Sequence, residues 1–258
     1  MHYVCSDIHG RWERYEAMVE GLKLSGDDRL YILGDVIDRG DSGIRILQHI
    51  KDQPNMTFFL GNHEMILYNS ICMADEEWMD TWLLNGGKKT IEDFVNLNRE
   101  EQDGLLEFLE QSWAVMPDLA VGENHYYLVH AFPDLNYLEE SVSFSRIMRE
   151  EGGPKRFYDM MWSRADRMLR RGEIGKLKRL DTLKKMERKV IFGHTITTRF
   201  FENMFRESSG RNSWDGGKPK IYYGENPDFT CIDCGCAMRD GRGCLGVLRL
   251  EDGEEFYF

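Results

Sequence analysis

The sequence predicts an α/β fold built on a parallel sheet, and two observations carry that prediction. Short apolar runs alternate with helical stretches over residues 2–60, and each run ends in a glycine or serine followed by residues that bind metal ions. The runs Tyr3-Val4-Cys5, Leu30-Tyr31-Ile32-Leu33 and Phe58-Phe59-Leu60 are apolar at consecutive positions, as a strand buried on both faces requires. They lead into Asp7-Ile8-His9-Gly10, Gly34-Asp35-Val36-Ile37-Asp38-Arg39-Gly40 and Gly61-Asn62-His63-Glu64. Functional groups gather beyond the carboxyl ends of the strands in an open α/β sheet. Asp7, His9, Asp35 and Asn62 are therefore expected on one rim. Two later runs repeat the pattern: Tyr126-Tyr127-Leu128-Val129 delivers His130, and Val190-Ile191-Phe192 delivers Gly193-His194.

Between the first three strands the spacing predicts a helix from about Arg11 to Leu24 and a second from about Ser42 to Lys51. Ile44, Ile46, Leu47 and Ile50 give the second helix an apolar face, and Asp41 or Ser42 is placed to cap it. Alternation at this spacing implies right-handed crossovers. From Met65 to Gln111 the texture is helical, with Trp78, Trp82, Leu83, Ile91, Phe94, Leu105, Leu106, Phe108 and Leu109 as apolar positions and Asn85-Gly86-Gly87 as a break. Strand texture returns around Ala114–Val121 and Tyr126–Val129. A second helical block covers about Leu135 to Lys185, and residues Asn203–Lys220 read as a polar, glycine-rich loop carrying Trp214. The remainder reads as a meander of short strands closing a second sheet.

Composition narrows the function. A hydrophobic fraction of 41% and a charged fraction of 30% over 258 residues describe an ordinary globular protein. No apolar run approaches the roughly 20 residues a membrane span needs, and the start lacks a basic leader, so a cytoplasmic protein without a membrane partner is expected. The formal net charge of −12 argues against a nucleic-acid polymer as partner. It is compatible with phosphate substrates if bound divalent cations make the local field positive. The six cysteines are expected as free thiols. Cys231-x-x-Cys234-x-Cys236 with Cys244 has the look of a metal site, yet Cys231 and Cys234 would face opposite sides of an extended strand.

The spacings also suggest chemistry. Asp7-x-His9 would put two ligands on the same side of an extended segment. Asp35 has two oxygens with which to bridge two cations, and Asn62, His130 and His194 would complete the second. Such cations sit about 3.5–4 Å apart and lower the pKa of a bridging water, giving hydroxide at neutral pH. His63 is better placed as the general acid for the leaving oxygen, with Asp38 holding its imidazole. Arg39 offers a planar fork for two phosphoryl oxygens. Glu64 is expected to cap or brace.

These motifs, with Leu128-Val129-His130, Trp162-Ser163-Arg164, Phe192-Gly193-His194-Thr195 and Ile232-Asp233-x-Gly235, resemble the phosphoprotein-phosphatase branch of the calcineurin-like metallophosphoesterases. The resemblance runs in order through nearly the whole chain. It implies a four-layer α/β/β/α sandwich of two mixed sheets, in a single catalytic domain over residues 1–258 with a helical insert at about 65–111. It implies two divalent ions, manganese before iron or zinc, with Asp7, His9 and Asp35 on the first and Asp35, Asn62, His130 and His194 on the second. His63 with Asp38 would be the acid pair, and Arg39 and Arg164 the phosphate clamps. The expected reaction is hydrolysis of phosphoserine or phosphothreonine in proteins. The alternatives are symmetrical diadenosine tetraphosphate hydrolysis at the same centre, or a non-catalytic phosphopeptide-binding module. Phe132, where relatives usually have glycine, is expected to crowd or reshape the mouth of the site, and Cys234 stands where many have threonine.

Overall fold

Strand residues alternate between two apolar cores, which is why the runs carry no polar face. Val4, Tyr31, Leu33, Phe59, Leu128 and Ile191 enter a core that contains no helical residue. Their neighbours Tyr3, Cys5, Leu30, Ile32, Phe58, Tyr127, Val129, Val190 and Phe192 enter a larger core shared with the helices. The computed structural model thus shows a mixed α/β fold in which a curled sheet closes on itself through one face and is flanked by helices on the other. It describes residues 1–73, 76–171, 174–202, 217–225, 228–238 and 240–258. Of the loop expected at Asn203–Lys220, residues 203–216, Trp214 included, lie outside the described residues.

The first half alternates as β1 (His2–Cys5), α1 (Trp12–Leu22), β2 (Arg29–Leu33), α2 (Gly43–Lys51) and β3 (Met56–Phe59). Four helices follow, α3 (Asn62–Cys72), α4 (Glu76–Leu84), α5 (Lys88–Val95) and α6 (Arg99–Gln111). Then come β4 (Trp113–Val121), β5 (Asn124–Val129) and the two-residue β6 (Val142–Ser143). Helices α7 (Phe144–Arg149), α8 (Gly153–Trp162), α9 (Ala165–Arg171) and α10 (Ile174–Lys185) lead to β7 (Arg188–Phe192) and α11 (Thr198–Glu202). The chain closes with β8 (Tyr222–Glu225), β9 (Asp228–Cys231), β10 (Gly246–Arg249) and β11 (Glu255–Tyr257). No described helix is long and apolar enough to cross a membrane.

The strand order is β11-β10-β1-β2-β3-β4-β5-β7-β9-β8, with β6 paired to β4. The strands β1, β2 and β3 pair in parallel, as do β5, β7 and β9. Two mixed halves are therefore present, and one link joins them: Phe59 pairs with Trp113, and Leu60 N–H donates to the Trp113 carbonyl at 2.8 Å. The C-terminal strands do not form the meander expected of them. β8 and β9 extend the half beyond β7, whereas β10 and β11 border β1.

Helix packing follows the apolar faces. Ile44, Ile46, Leu47 and Ile50 of α2 are all buried. Burying each such side chain stabilises by about 1.5–3 kcal/mol before the entropy of ordering it.

Candidate metal centre

The carboxyl ends of β1, β2, β3, β5 and β7 all open on one rim, and the turns after β1 and β2 are laced together. Asp7 N–H donates to the Gly34 carbonyl at 3.1 Å, His9 N–H to Asp35 O at 3.0 Å and Gly10 N–H to Val36 O at 2.7 Å. Asp7, His9, Asp35, Asp38, Arg39 and His194 all have φ between 50° and 67°. They are six of the eight non-glycine residues with positive φ among the described residues. Left-handed backbone costs an ordinary residue on the order of 1–3 kcal/mol and persists only where surroundings over-determine it. Asp7 and His9 therefore do not meet by sharing one side of an extended segment. The chain turns sharply at both residues instead.

The ligand-type side chains converge. His9 Nε2 lies 3.9 Å from Asp7 Oδ1 and 3.8 Å from Asp35 Oδ2. His130 Nε2 lies 3.5 Å from Asp35 Oδ1 and 3.1 Å from Asn62 Oδ1. Asp7 Oδ2 accepts the His194 N–H at 2.9 Å. Two triads, His9–Asp35–His63 and Asp35–His130–His194, each bring three ligand atoms within 4.8 Å of one another, and Asp35 is common to both. Outer hydrogen bonds orient the rings. His9 Nδ1–H donates to Ile37 O at 3.0 Å and His130 Nδ1–H to Leu33 O at 2.6 Å, leaving each Nε2 lone pair aimed at the rim.

The donor set fits divalent cations. Burial pushes Asp7 up to about 6 and Asp35 up to about 7, with the neighbouring Asp35 charge adding to the push on Asp7. Burial first, then neighbouring positive charge, pushes His9, His63 and His194 well below the ordinary histidine range, so all three rings stand neutral, the state in which an imidazole can ligate a cation. His194 Nε2 is buried with no hydrogen-bond partner. Crowded carboxylates, neutral imidazoles and an orphaned ring nitrogen are what added positive charge would satisfy.

His63 occupies a different position. Its Nδ1 lies 2.6 Å from Asp38 Oδ2, while its Nε2 faces Arg39 Nη2 at 2.8 Å. The same guanidinium reaches His9 Nε2 through Nη1 at 2.7 Å. Asp38, pushed up to about 6 by burial, is held by the Trp82 indole N–H at 2.9 Å on Oδ1, and its backbone N–H donates to Thr90 Oγ1 at 3.1 Å. Arg164 Nη1 donates to the His194 carbonyl at 2.9 Å.

Glu64 ties two strand ends together. Its carboxylate accepts the backbone N–H groups of Asp35, Val36, Ile37 and Gly61 at 2.9, 2.8, 3.3 and 3.0 Å. A Cβ at Gly61 would come within 2.3 Å of Asp35 Oδ1, so glycine alone lets β3 approach the shared carboxylate.

Sequence reasoning missed Trp82 and Thr90, read only as parts of a helical stretch. Asp233, in the Ile232-Asp233-x-Gly235 motif, carries no signal of a role in its spacing alone. It is buried, pushed up to about 8 by burial and by Asp7, and accepts the Gly235 N–H at 2.8 Å. Phe132 buries its ring in the helical core, its centroid 6.4 Å from that of Phe192, so it does not crowd the mouth directly. The six cysteines are free, and Cys231 and Cys234 enter opposite cores. Among the described residues the cysteines join no metal-binding group.

Fold and site together define a metal-dependent hydrolase with two adjoining cation sites. A model of the calcineurin-like phosphoesterase family matches residues 3–212, and the chain belongs to that family. Symmetrical bis(5′-nucleosyl)-tetraphosphatases from Haemophilus ducreyi and Salmonella typhimurium are 30% identical to it over 67 residues. That stretch spans 25% of this chain and 25% and 24% of those relatives. A protein serine/threonine phosphatase structure from Saccharomyces cerevisiae superposes with a TM-score of 0.61 at 14% identity, covering 97% of this chain and 72% of that one. A cold-active protein-tyrosine phosphatase structure from Shewanella gives 0.54 at 13% identity, covering 99% and 79%. At such identities the structural likeness shows the fold alone.

Proposed function

We propose that the chain hydrolyses the phosphoanhydride of symmetrical dinucleoside tetraphosphates. The observation that carries this reading is the 30% identity to symmetrical bis(5′-nucleosyl)-tetraphosphatases, taken with an arginine set directly on the ligand cluster. Hydrolysis of phosphoserine or phosphothreonine in proteins is the second reading, favoured by the ordered motif set through Trp162-Ser163-Arg164. Six free cysteines support work in a reducing, cytoplasmic setting.

Asp7, His9 and Asp35 would hold one divalent ion, and Asp35, Asn62, His130 and His194 the other, manganese being the first choice and iron or zinc the next. When bound, such ions supply Lewis acidity toward phosphoryl oxygens and acidify a water. The chain's own residues do the rest. Arg39 and Arg164 orient and neutralise the phosphoryl oxygens. Asp38 fixes the His63 ring, so that Nε2 points at the leaving oxygen and hands it a proton. Burial and Arg39 oppose the imidazolium; a substrate phosphate that neutralises Arg39 removes much of that opposition, and the Asp38 carboxylate then favours it.

The test is a side-by-side assay of manganese-loaded protein on diadenosine tetraphosphate and a phosphoserine peptide. Preference for the dinucleotide of roughly tenfold or more in kcat/KM, about 1.4 kcal/mol, supports the first reading. An equal preference for the peptide overturns it in favour of the second.

A further inference from the structure

Arg39 faces two ways. Its guanidinium stands on His9 and His63, and the residue also forms one wall of a separate cleft of about 470 Å³. Arg11, Leu83, Leu84, Asn85, Gly86 and Ala237 line the rest. That volume lies within the roughly 300–1,000 Å³ range of small-molecule sites.

Three features of the lining select a ligand. Among the described residues the charged lining is Arg11 and Arg39, with no carboxylate, in a chain whose formal net charge is −12. Arg11 Nε is buried with no hydrogen-bond partner, and among the described residues no carboxylate pairs with Arg11. Leu83 and Leu84, at the end of α4, are 49% and 87% exposed, a costly way to place two large apolar side chains. The shelf they form is fastened to the site. Gly86 O accepts the Arg39 N–H at 3.1 Å, and Gly86 has a φ of 93° that few other residues adopt.

We infer that this cleft is the subsite for the leaving half of the substrate. Arg11 binds a phosphoryl group beyond the one held at the ligand cluster, and the Leu83–Leu84 shelf takes the apolar face of a nucleobase. The inference rests on the anhydride reading and deepens it. A phosphomonoester offers one phosphoryl group, which Arg39 and Arg164 suffice to hold. A tetraphosphate bridge has further charges that need a guanidinium past Arg39.

The test compares wild type, Arg11→Gln, Arg11→Lys and Leu84→Ser, manganese-loaded, on diadenosine tetraphosphate, inorganic tetraphosphate and an aryl phosphate. Binding of ADP is measured by calorimetry alongside. In Arg11→Gln the ratio of kcat/KM for dinucleotide over aryl phosphate falls roughly tenfold to a hundredfold, through KM, and ADP binding weakens by a similar factor. Arg11→Lys recovers part of both. Leu84→Ser weakens the dinucleotide several-fold more than inorganic tetraphosphate, which has no base. An Arg11→Gln ratio within about twofold of wild type overturns the subsite while the anhydride reading stands. Wild type inactive on the dinucleotide overturns both.

Discussion

At the scale of single residues, His63 decides between two chemistries. Its Nε2 belongs by distance to a triad with His9 and Asp35, yet a guanidinium nitrogen stands 2.8 Å from that atom and Asp38 holds the other side of the ring. A proton donor predicts that His63→Asn lowers kcat by roughly 10²–10⁴ while manganese content measured by emission spectroscopy stays at the wild-type level. Loss of one ion per chain would make it a ligand instead, and full turnover would remove it from the reaction. The ligand-type residues were legible because each terminates a local apolar run. Trp82 was not, since an indole at helical spacing reads as core. Its N–H acquires meaning only when α4 folds back over a carboxylate 44 residues upstream. The meeting of Asp7 with His9 was foreseen for the wrong reason, because left-handed φ values leave no trace in residue type when aspartate and histidine adopt them.

At the scale of elements, the first turn of α3 is where β2 and β3 are joined. Four backbone N–H groups from two strand ends converge on the Glu64 carboxylate, an arrangement only an acceptor-only group satisfies. Glu64→Gln turns one oxygen into a donor facing donors. Urea unfolding should show a loss of at least about 3 kcal/mol, since buried groups bonded to a charge are left unsatisfied. A loss under about 1 kcal/mol would mean that the brace is dispensable. The β-α-β-α-β opening was readable from periodicity, and helix ends moved by only a residue or two as caps commonly do. The split of the C-terminal strands between the two ends of the sheet was not readable. Which edge a short strand joins depends on the curl of the whole sheet rather than on its own residues.

At the scale of the whole molecule, charge and stability are coupled through the rim. Buried carboxyls at Asp35 and Asp233 hold their protons up to about 7 and 8, well above the unfolded range, with burial as the leading cause. Folded metal-free protein therefore binds more protons than the unfolded chain, and its stability falls as pH rises through that window. Below about pH 6.5 the depressed histidines work the other way, because the unfolded chain then takes up protons the folded one refuses. Added manganese compensates the carboxylates, so the rise in Tm on loading should grow between pH 6.5 and 8.5. A calorimetric shift that is flat or shrinks across that range would contradict the account. The span of the contacts has a last consequence, for synthesis on the ribosome. Asp7 is met by a backbone amide 187 residues further on, and the outer edge of β1 is covered only by β10. A growing chain thus exposes an unpaired strand edge and scattered acid groups until β10 has emerged. Ion capture consequently waits for residue 194 to emerge, and fragments ending before it should be recovered as insoluble chains without stoichiometric metal.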